Sequence, residues 1–162
     1  MPVLHSIDHR DPRAAAYRAV SDPALARREG LFVAEGRLVV TRLIQDGRFR
    51  VDSVLLNRAS FEALETVIER LPSDTPVYLA SAEELSFIAG FNIHRGCLAL
   101  AVRPPEAEVA EVVRGARRLV VLERVANADN VGGVFRNAAA FGVDAAILSP
   151  GTCDPLYRKA IR

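Results

Sequence analysis

A short segment near the carboxyl end of the chain combines residue types that could serve a binding or catalytic site. Residues 130–141 read Asn-Val-Gly-Gly-Val-Phe-Arg-Asn-Ala-Ala-Ala-Phe. At the helical spacing of about 100° per residue, Gly132, Gly133 and Arg136 fall on one face. That face holds small residues around a single guanidinium, whereas an ordinary solvent face carries Glu, Lys and Gln. The opposite, apolar face is predicted to pack on the core and consists of Val131, Val134, Phe135, Ala138 and Phe141.

The two glycines indicate a close contact with the helix backbone. A glycine inside a helix costs about 1 kcal/mol relative to alanine. Gly132 and Gly133 therefore predict that a ligand, a substrate strand or a partner chain approaches the backbone at this point.

The residues before the helix place it where α/β proteins hold their sites. Leu119–Leu122 is a continuous apolar run and predicts a buried strand. The polar residues 123–129 predict a loop, Asn130 is the predicted N-cap, and Gly142 is the predicted helix stop. Because α/β sheets bind ligands at the carboxyl ends of their strands, this loop and helix start form the predicted site.

The residues after the helix predict further elements of an unfinished domain. A second strand is predicted over 143–148, and Asp154 is predicted to cap a last helix over 156–161. Two buried strands cannot cover their own apolar faces, and the last helix has no stop signal. We therefore expect 117–162 to be the first part of a domain. The alternative is that its strands extend another sheet or pair with another chain.

The first part of the chain alternates between strand-like and helix-like patterns. Strands are predicted over 31–34, 51–56, 76–79 and 96–102. Helices are predicted over 11–20 with Asp11 as cap, 37–44, 60–71 with Ser60 as cap, and after Ser81, which starts a capping box with Glu84. This alternation predicts an α/β domain over 1–103. A proline-containing linker with a short helix is predicted over 104–116.

Composition limits the classes of function. The net charge of +1, from 21 basic and 20 acidic residues, excludes nucleic-acid binding by bulk charge alone. The basic excess lies within 1–50, and all basic residues except Lys159 are arginine, which suits phosphate contacts. A coding bias toward arginine explains the same count. Cys97 and Cys153 are expected to be reduced thiols of a cytoplasmic protein without a membrane span.

Other motifs are weaker. The chain has no dinucleotide or P-loop motif and no Ser or Cys nucleophile elbow. His5 and His9 lack a third ligand, so we expect no metal site and interpret them as part of a frayed terminus. The loop 92–96 predicts an RNA contact by Asn92, His94 and Arg95, with a plain turn as the alternative.

The segment 122–143 resembles the first motif of the SpoU/TrmH RNA methyltransferases, within the SPOUT superfamily. The stretch 154–162 resembles the next part of that family. Residues 32–36 and the loop 92–96 resemble its accessory RNA-binding α/β domain, which has a ribosomal-protein-like fold. The motif Asn-x-Gly-x-x-x-Arg-x-Ala-x-x-x-Gly is matched at Asn130, Gly132, Arg136, Ala138 and Gly142.

The resemblance implies a function and a set of site residues. The implied reaction transfers a methyl group from S-adenosylmethionine to a ribose 2′-hydroxyl of structured RNA, either rRNA or tRNA. Arg136 and Asn130 are implied at the catalytic site. A guanidinium can orient a neutral hydroxyl and stabilise the negative charge that develops on it. The implied RNA-contact residues are Glu35, Arg37, Asn92, His94 and Arg95.

The resemblance also implies what lies outside this chain. The family builds its cofactor site from a knotted segment formed by two later motifs, so we expect cofactor-binding residues beyond Arg162. We therefore expect this 162-residue chain alone to be inactive and to bind no S-adenosylmethionine. A homodimer is expected for the longer protein. The alternatives are a non-catalytic RNA-binding module and a domain that only contacts a protein partner, which no residue specifically supports.

Overall fold

The computed structural model describes residues 2–18, 20, 29–93 and 96–162. It divides the chain into two compact units, Met1–Arg103 and Pro104–Arg162. The division falls at the two prolines, Pro104 and Pro105, that follow the last strand of the first unit. Within the described ranges, no helix has the length and hydropathy that a transmembrane segment needs.

The first unit contains a five-stranded mixed sheet. Its strands lie in the order β1-β4-β3-β5-β2. Strands β1, β4 and β3 are parallel, and β5 is antiparallel to both β3 and β2. The carboxyl ends of β1 to β4 therefore meet the start of β5 at one edge, which we call the carboxyl edge. The strands are β1 (Leu4–Ser6), β2 (Leu31–Glu35), β3 (Val51–Leu56), β4 (Val77–Leu79) and β5 (Cys97–Val102).

Four α-helices pack with this sheet in the described part of the first unit. A 3-10 turn over Pro12–Ala14 leads into the first helix, and the Asp11 carboxylate accepts a hydrogen bond from the Arg13 backbone N–H, so the predicted cap is confirmed. The Ser81 cap is confirmed as well, since its hydroxyl accepts from the Glu84 N–H. The helices are α1 (Ala15–Arg18), α2 (Arg37–Asp46), α3 (Arg58–Ile68) and α4 (Ala82–Ala89).

Two predictions for the first unit are wrong. Ser60 does not cap α3, because Asn57 Oδ1 accepts from the Ser60 N–H at 2.8 Å and the helix starts two residues before Ser60. The amino terminus is not frayed, since β1 pairs with β4 and the His9 ring lies 2.9 Å from a Glu84 carboxylate oxygen. Three residues of mixed polarity carry no alternating pattern, so only the pairing with β4 identifies β1 as a strand.

One part of the core of the first unit lies around Tyr17. This side chain is fully buried, and its hydroxyl lies 2.8 Å from Ser53 Oγ, which satisfies the one polar group it brings inside. Leu55, Leu98 and Ile88 are buried in the same cluster. Burial of these apolar side chains stabilises the unit by roughly 1.5–3 kcal/mol each.

The second unit is smaller and has a two-stranded parallel sheet. Its buried core consists of Leu122, Val131 and Ala160, with Val120 and Phe135 partly buried against them. Its elements are α5 (Val109–Val113), β6 (Leu119–Leu122), α6 (Ala128–Ala140), β7 (Ala145–Leu148) and α7 (Arg158–Ile161).

The prediction that β6 is a buried strand is wrong. Its side chains alternate, with Leu122 buried, Leu119 44% exposed and Val121 63% exposed. In the parallel register Leu119 lies opposite Ala145 and Val121 opposite Ile147, so these four side chains share one face. That face is apolar and remains partly exposed to solvent.

The ends of the helices also differ from the predictions. Asn127, not Asn130, is the N-cap of α6. Phe141 is 74% exposed and is not a core residue, because the helix ends at Ala140 and Gly142 turns the chain with a φ of 64°. Asp154 does not cap α7; its Oδ1 accepts from the Leu156 N–H in a turn, and the helix begins at Arg158.

Candidate functional site

The first turn of α6 presents an unused amide at the end of the loop that follows β6. Asn127 Oδ1 accepts a hydrogen bond from the Asn130 backbone N–H at 3.0 Å. Because Asn127 supplies the cap, the side chain of Asn130 is not needed for it. Asn130 is exposed, and its amide makes no hydrogen bond to any residue that the structure describes. Asn130 is therefore available to bind a group outside this chain.

Gly132 is closely approached, as its position in a helix predicts, but the approaching atoms belong to the chain itself. A Cβ atom at Gly132 would collide with the backbone carbonyl oxygen of Ala160 in α7. A Cβ at Gly133 would meet no atom within 4 Å. The structure therefore assigns Gly132 to helix packing and leaves Gly133 open.

Arg136 lies one helical turn after Gly132 on the same face. Its Nη1 is 3.0 Å from the position that a Gly132 Cβ would occupy, so the guanidinium extends back along α6 toward α7. The side chain is exposed and makes no hydrogen bond or ion pair with residues in the described ranges. The result is a cation that the protein positions but does not neutralise.

Two further side chains near this face were missed from the sequence. Asn137 donates a hydrogen bond from Nδ2 to the Gly133 carbonyl oxygen at 3.0 Å, which satisfies that group inside the helix. Arg124 has a φ of 52°, a left-handed conformation that favours glycine, directly after β6. Its backbone N–H donates to Ser149 Oγ at 2.9 Å, and this bond between the two loops stabilises the unusual conformation.

Polar groups of the loops after β6 and β7 form hydrogen bonds with each other. Thr152 Oγ1 donates to the Leu122 carbonyl oxygen at 3.1 Å, and the Cys153 N–H donates to the Val125 carbonyl oxygen at 2.8 Å. Together with the bond to Ser149, these contacts occupy donors that could otherwise bind a ligand. These contacts hold the two loops against each other.

Neither cysteine fits a nucleophile. Both are free. Burial raises the pKa of Cys97 to about 12, and burial also raises the pKa of Cys153. Because the thiolate is the reactive form, both side chains are poor nucleophiles at neutral pH. No group of His, Cys, Asp and Glu that could hold a metal ion occurs among the described residues.

A carboxylate fixes the turn between α6 and β7. Asp144 Oδ2 accepts hydrogen bonds from the backbone N–H groups of Arg117 and Arg118, each at 2.9 Å. These bonds hold the pKa of Asp144 below its usual range. Arg118 Nη1 donates to the Phe141 carbonyl oxygen at 2.7 Å, so the same segment also supports the end of α6.

Some of the predicted RNA-contact residues meet at the carboxyl edge of the first unit. Glu35 ends β2 and is buried, whereas Arg37 starts α2 and is exposed. Between them Gly36 has a φ of 93°, and its N–H donates to the Cys97 carbonyl oxygen at 2.9 Å. Asn92 is exposed. His94 and Arg95 lie outside the described residues.

Asn57 connects this region to α3 and was not predicted as a site residue. Its N–H donates to the Gly96 carbonyl oxygen at 2.9 Å, while its side chain caps α3. A Cβ at Gly96, where φ is 57°, would collide with the Asn57 amide. The only signal in the sequence was that asparagine is a favoured N-cap.

Comparison with known proteins identifies relatives of the whole chain. No family model matches it. It is 39% identical over 159 residues to proteins named uncharacterised tRNA/rRNA methyltransferases from Mycobacterium bovis and Mycobacterium tuberculosis. These alignments cover 96% of this chain and 54% of each relative. The chain thus spans about half the length of the curated relatives it matches.

Solved structures share the fold. The AdoMet-bound rRNA methyltransferase from Sinorhizobium meliloti matches with a TM-score of 0.79 at 18% identity, covering 98% of this chain and 59% of that one. A putative RNA methyltransferase of the TrmH family from Porphyromonas gingivalis gives 0.72 at 22% identity, with 92% and 55% covered. A structure named RNA 2′-O ribose methyltransferase gives 0.67 at 20% identity, with 99% and 60% covered.

The names of these proteins agree with the family that the motif on α6 resembles. The α/β fold predicted from the alternating patterns is confirmed. The chain is therefore similar over nearly its whole length to proteins named tRNA/rRNA methyltransferases, of which it spans about half, and it shares its fold with a putative RNA methyltransferase of the TrmH family.

Proposed function

We propose that the whole protein transfers a methyl group from S-adenosylmethionine to a ribose 2′-hydroxyl of rRNA or tRNA, and that this chain supplies Arg136 to the reaction. The observation that carries the proposal is the guanidinium of Arg136, held beside Gly132 without a partner in the described ranges. The curated relatives are named tRNA/rRNA methyltransferases, and one structural neighbour is named a 2′-O ribose methyltransferase.

The chemistry assigned to Arg136 follows from the reactivity of a ribose hydroxyl. This hydroxyl has a high pKa and is a weak nucleophile while it is protonated. A guanidinium donates hydrogen bonds in a fixed plane, so it can orient the oxygen and stabilise the charge that develops on it. An arginine side chain offers only hydrogen-bond donors, so a phosphate oxygen of the RNA is the proposed acceptor for the hydroxyl proton.

Asn130 is proposed to position the substrate. Its amide offers two donors and an acceptor at the start of α6 and has no partner in the described part of the chain. Gly132 acts indirectly, because it allows α7 to pack beside the guanidinium. Gly133 leaves open backbone surface next to these two side chains.

The cofactor is assigned to the whole protein. S-adenosylmethionine provides an activated methyl group and needs no metal. A neighbour of this fold was solved with AdoMet bound. Because the described loops after β6 and β7 satisfy each other, we propose that residues outside these loops bind the cofactor, in the longer protein or its dimer. A cytoplasmic location is part of the same proposal.

The first unit is proposed to recognise the RNA. Arg37 and Asn92 are exposed and can contact phosphate and base edges. Glu35 is buried, so its proposed role is to support the turn at Gly36 rather than to touch RNA. His94 and Arg95 remain predictions from the sequence.

Methylation of RNA by the full-length protein tests the proposal. The assay follows transfer of a labelled methyl group from S-adenosylmethionine to total rRNA and tRNA. A 2′-O-methyl group blocks alkaline cleavage of the adjacent phosphodiester, so the label should remain in an alkali-resistant dinucleotide. Label released as a modified mononucleotide would contradict ribose methylation.

Variants then test Arg136. R136A should lower kcat by at least about 100-fold, the usual size for loss of one donor at developing charge. R114A removes an exposed arginine from the same unit and should leave the rate within about twofold, since Arg114 follows α5, before the start of β6, and is not part of α6. Full activity of R136A would exclude the assigned role. If no transfer occurs but RNA binds, the alternative of a non-catalytic RNA-binding module is supported.

A further inference from the structure

A groove at the carboxyl edge of the first unit has no role in the site described above. Its deepest part is a cleft of about 570 Å³ at the ends of β1, β3 and β4. Most of its lining residues have small side chains, and one arginine also lines it. Its lining includes Ser6, Arg58, Ala59, Ala80, Ser81 and Ala82.

A second hollow continues the cleft toward the amino-terminal loop. It measures about 490 Å³ and shares Ser6 and Ile7 with the cleft, so the two hollows are adjacent, and we call them together the edge groove. Asp8, Arg10 and Asp11 line its outer part.

The acidic groups of the edge groove are already used within the protein. Asp8 Oδ1 accepts hydrogen bonds from the backbone N–H groups of Arg10 and Asp11, at 2.8 and 3.1 Å. The carboxylate of Asp11 is paired with Arg13, with an Nη2 to Oδ2 distance of 2.7 Å, and hydrogen bonds from Arg13 lower the pKa of Asp11 to about 2. Asp11 is therefore neutralised by Arg13, whereas Asp8 is hydrogen-bonded to backbone N–H groups and keeps its charge beside Arg10.

The basic groups of the edge groove remain available. Arg10 is exposed, and its guanidinium has no hydrogen bond or ion pair with the residues described. Arg58 uses Nε to bind Glu62 at 2.8 Å in an exposed pair, which leaves its two Nη groups as donors. A surface pair of this kind is weak and exchanges readily for another anion. Each of the two hollows therefore has one arginine in its lining.

The lining between these cations suits an extended polymer. Ala59, Ala80 and Ala82 are too small to fill the cleft, and the hydroxyl groups of Ser6 and Ser81 can donate hydrogen bonds across it. A chain with a repeated negative charge and little bulk at the charged atoms fits this arrangement. A phosphodiester backbone has those properties.

Contact through Asn57 connects the edge groove to the predicted RNA site. Asn57 lines the cleft and also donates a hydrogen bond to Gly96, at the end of the loop 92–96. We propose that the edge groove binds the phosphodiester backbone of the RNA substrate, next to the nucleotides contacted by Arg37 and Asn92. This inference rests on the proposed function for the identity of the polymer.

Charge reversal inside the groove is the sharpest test. Ala59 is exposed in the first turn of α3, where an acidic side chain favours the helix, so A59E should fold normally. The carboxylate would face the bound phosphates. We expect A59E to weaken binding of the chain to total rRNA or tRNA fragments by at least about tenfold in a filter-binding assay. T66E makes the same change at an exposed position farther along α3 and is the control.

Removal of the cations gives a second, independent readout. Each lost phosphate contact on a single strand lowers the slope of log K against log salt by about 0.7, so R10A/R58A should lower it by about 1.4. R70A removes an exposed arginine at the opposite edge of the sheet, beside the start of β3, and should leave the slope unchanged.

The outcomes separate the groove from the proposed function. If A59E and R10A/R58A behave like T66E and R70A while R37A weakens RNA binding, the groove assignment is overturned and RNA recognition stands. If the groove variants lose binding but the full-length protein methylates no RNA, the groove stands and the proposed function fails. If the wild-type chain shows no salt-dependent RNA binding, the groove assignment and the proposed RNA recognition by the first unit are both contradicted.

Discussion

The two units of this chain support their candidate sites in different ways. In the first unit, β3 and β5 are buried at consecutive positions, so both faces of the sheet are covered. In the second unit, β6 alternates between exposed and more buried residues, and only three apolar side chains are fully buried among those described. The first unit is therefore stabilised mainly by its core.

The second unit depends more on individual backbone contacts. Gly132 packs against a carbonyl oxygen of α7, and Asp144 fixes two backbone N–H groups before β6. The comparison teaches that apolar truncation should be most harmful in the first unit, whereas changes of a single contact should be most harmful in the second.

The largest effect is expected from truncation of a leucine in the first unit. Leu98 in β5 is fully buried, so L98A should destabilise that unit by about 2–5 kcal/mol. Leu119 in β6 is 44% exposed, and L119A should cost less than about 1 kcal/mol. Hydrogen exchange of peptides from each unit measures both. If L98A and L119A lower the free energy of unfolding equally, the apolar face of β6 that contains Leu119 is covered in solution.

The next effect is expected from the two neighbouring glycines. G132A forces a methyl group against the Ala160 carbonyl oxygen and should destabilise the second unit by about 1–3 kcal/mol. G133A meets no atom within 4 Å and should stabilise α6 by roughly 0.5–1 kcal/mol. Urea unfolding followed through the second unit compares them, and a shift of the same sign for both variants would exclude the packing of α7 on Gly132.

A smaller effect concerns pH. The hydrogen bonds to Asp144 lower its pKa, so they stabilise the folded form at and above the usual Asp pKa. This contribution should decline as pH falls below about 4, through the lowered pKa. In D144N the loss of stability at low pH should be smaller. Hydrogen exchange, corrected for its intrinsic dependence on pH, should therefore vary less with pH in D144N than in the wild type. E123Q, at an exposed acid in the loop after β6 that has no hydrogen bond among the described residues, is the control.

The smallest effect on stability is expected at the proposed catalytic position. Arg136 is exposed and has no partner in the described ranges, so R136A should change the free energy of unfolding by no more than about 0.5 kcal/mol. A larger loss would mean that the guanidinium stabilises α7 and would weaken its assignment to substrate.

The fold could be predicted where a local pattern determined an element. Val51–Leu56 is a strand at the predicted residues, and Gly47 ends α2 in a left-handed conformation. Asn127 and Asn130 show the limit of such patterns. Both are good caps, and the choice depends on where the loop after β6 turns, which is set by contacts with Ser149 and Cys153.

The candidate site could be predicted where a local pattern in the sequence determines it. The spacing of Gly132 and Arg136 places them on one helical face, and the structure has them adjacent. The partner of Gly132 could not be predicted, because α7 lies about thirty residues later and touches it through its backbone. Phe141 follows the apolar period of α6, yet the helix ends one residue earlier, and the side chain is exposed.

The contact between Gly132 and Ala160 has a consequence for how related sequences vary. Every residue has a backbone carbonyl oxygen, so the contact does not restrict the residue type at position 160. It restricts only position 132, where a side chain would collide with that oxygen. Position 132 should therefore stay glycine across an alignment while no second position changes in step with it. Methods that find contacts from correlated substitutions would miss this one, although it holds the last helix of the chain in place.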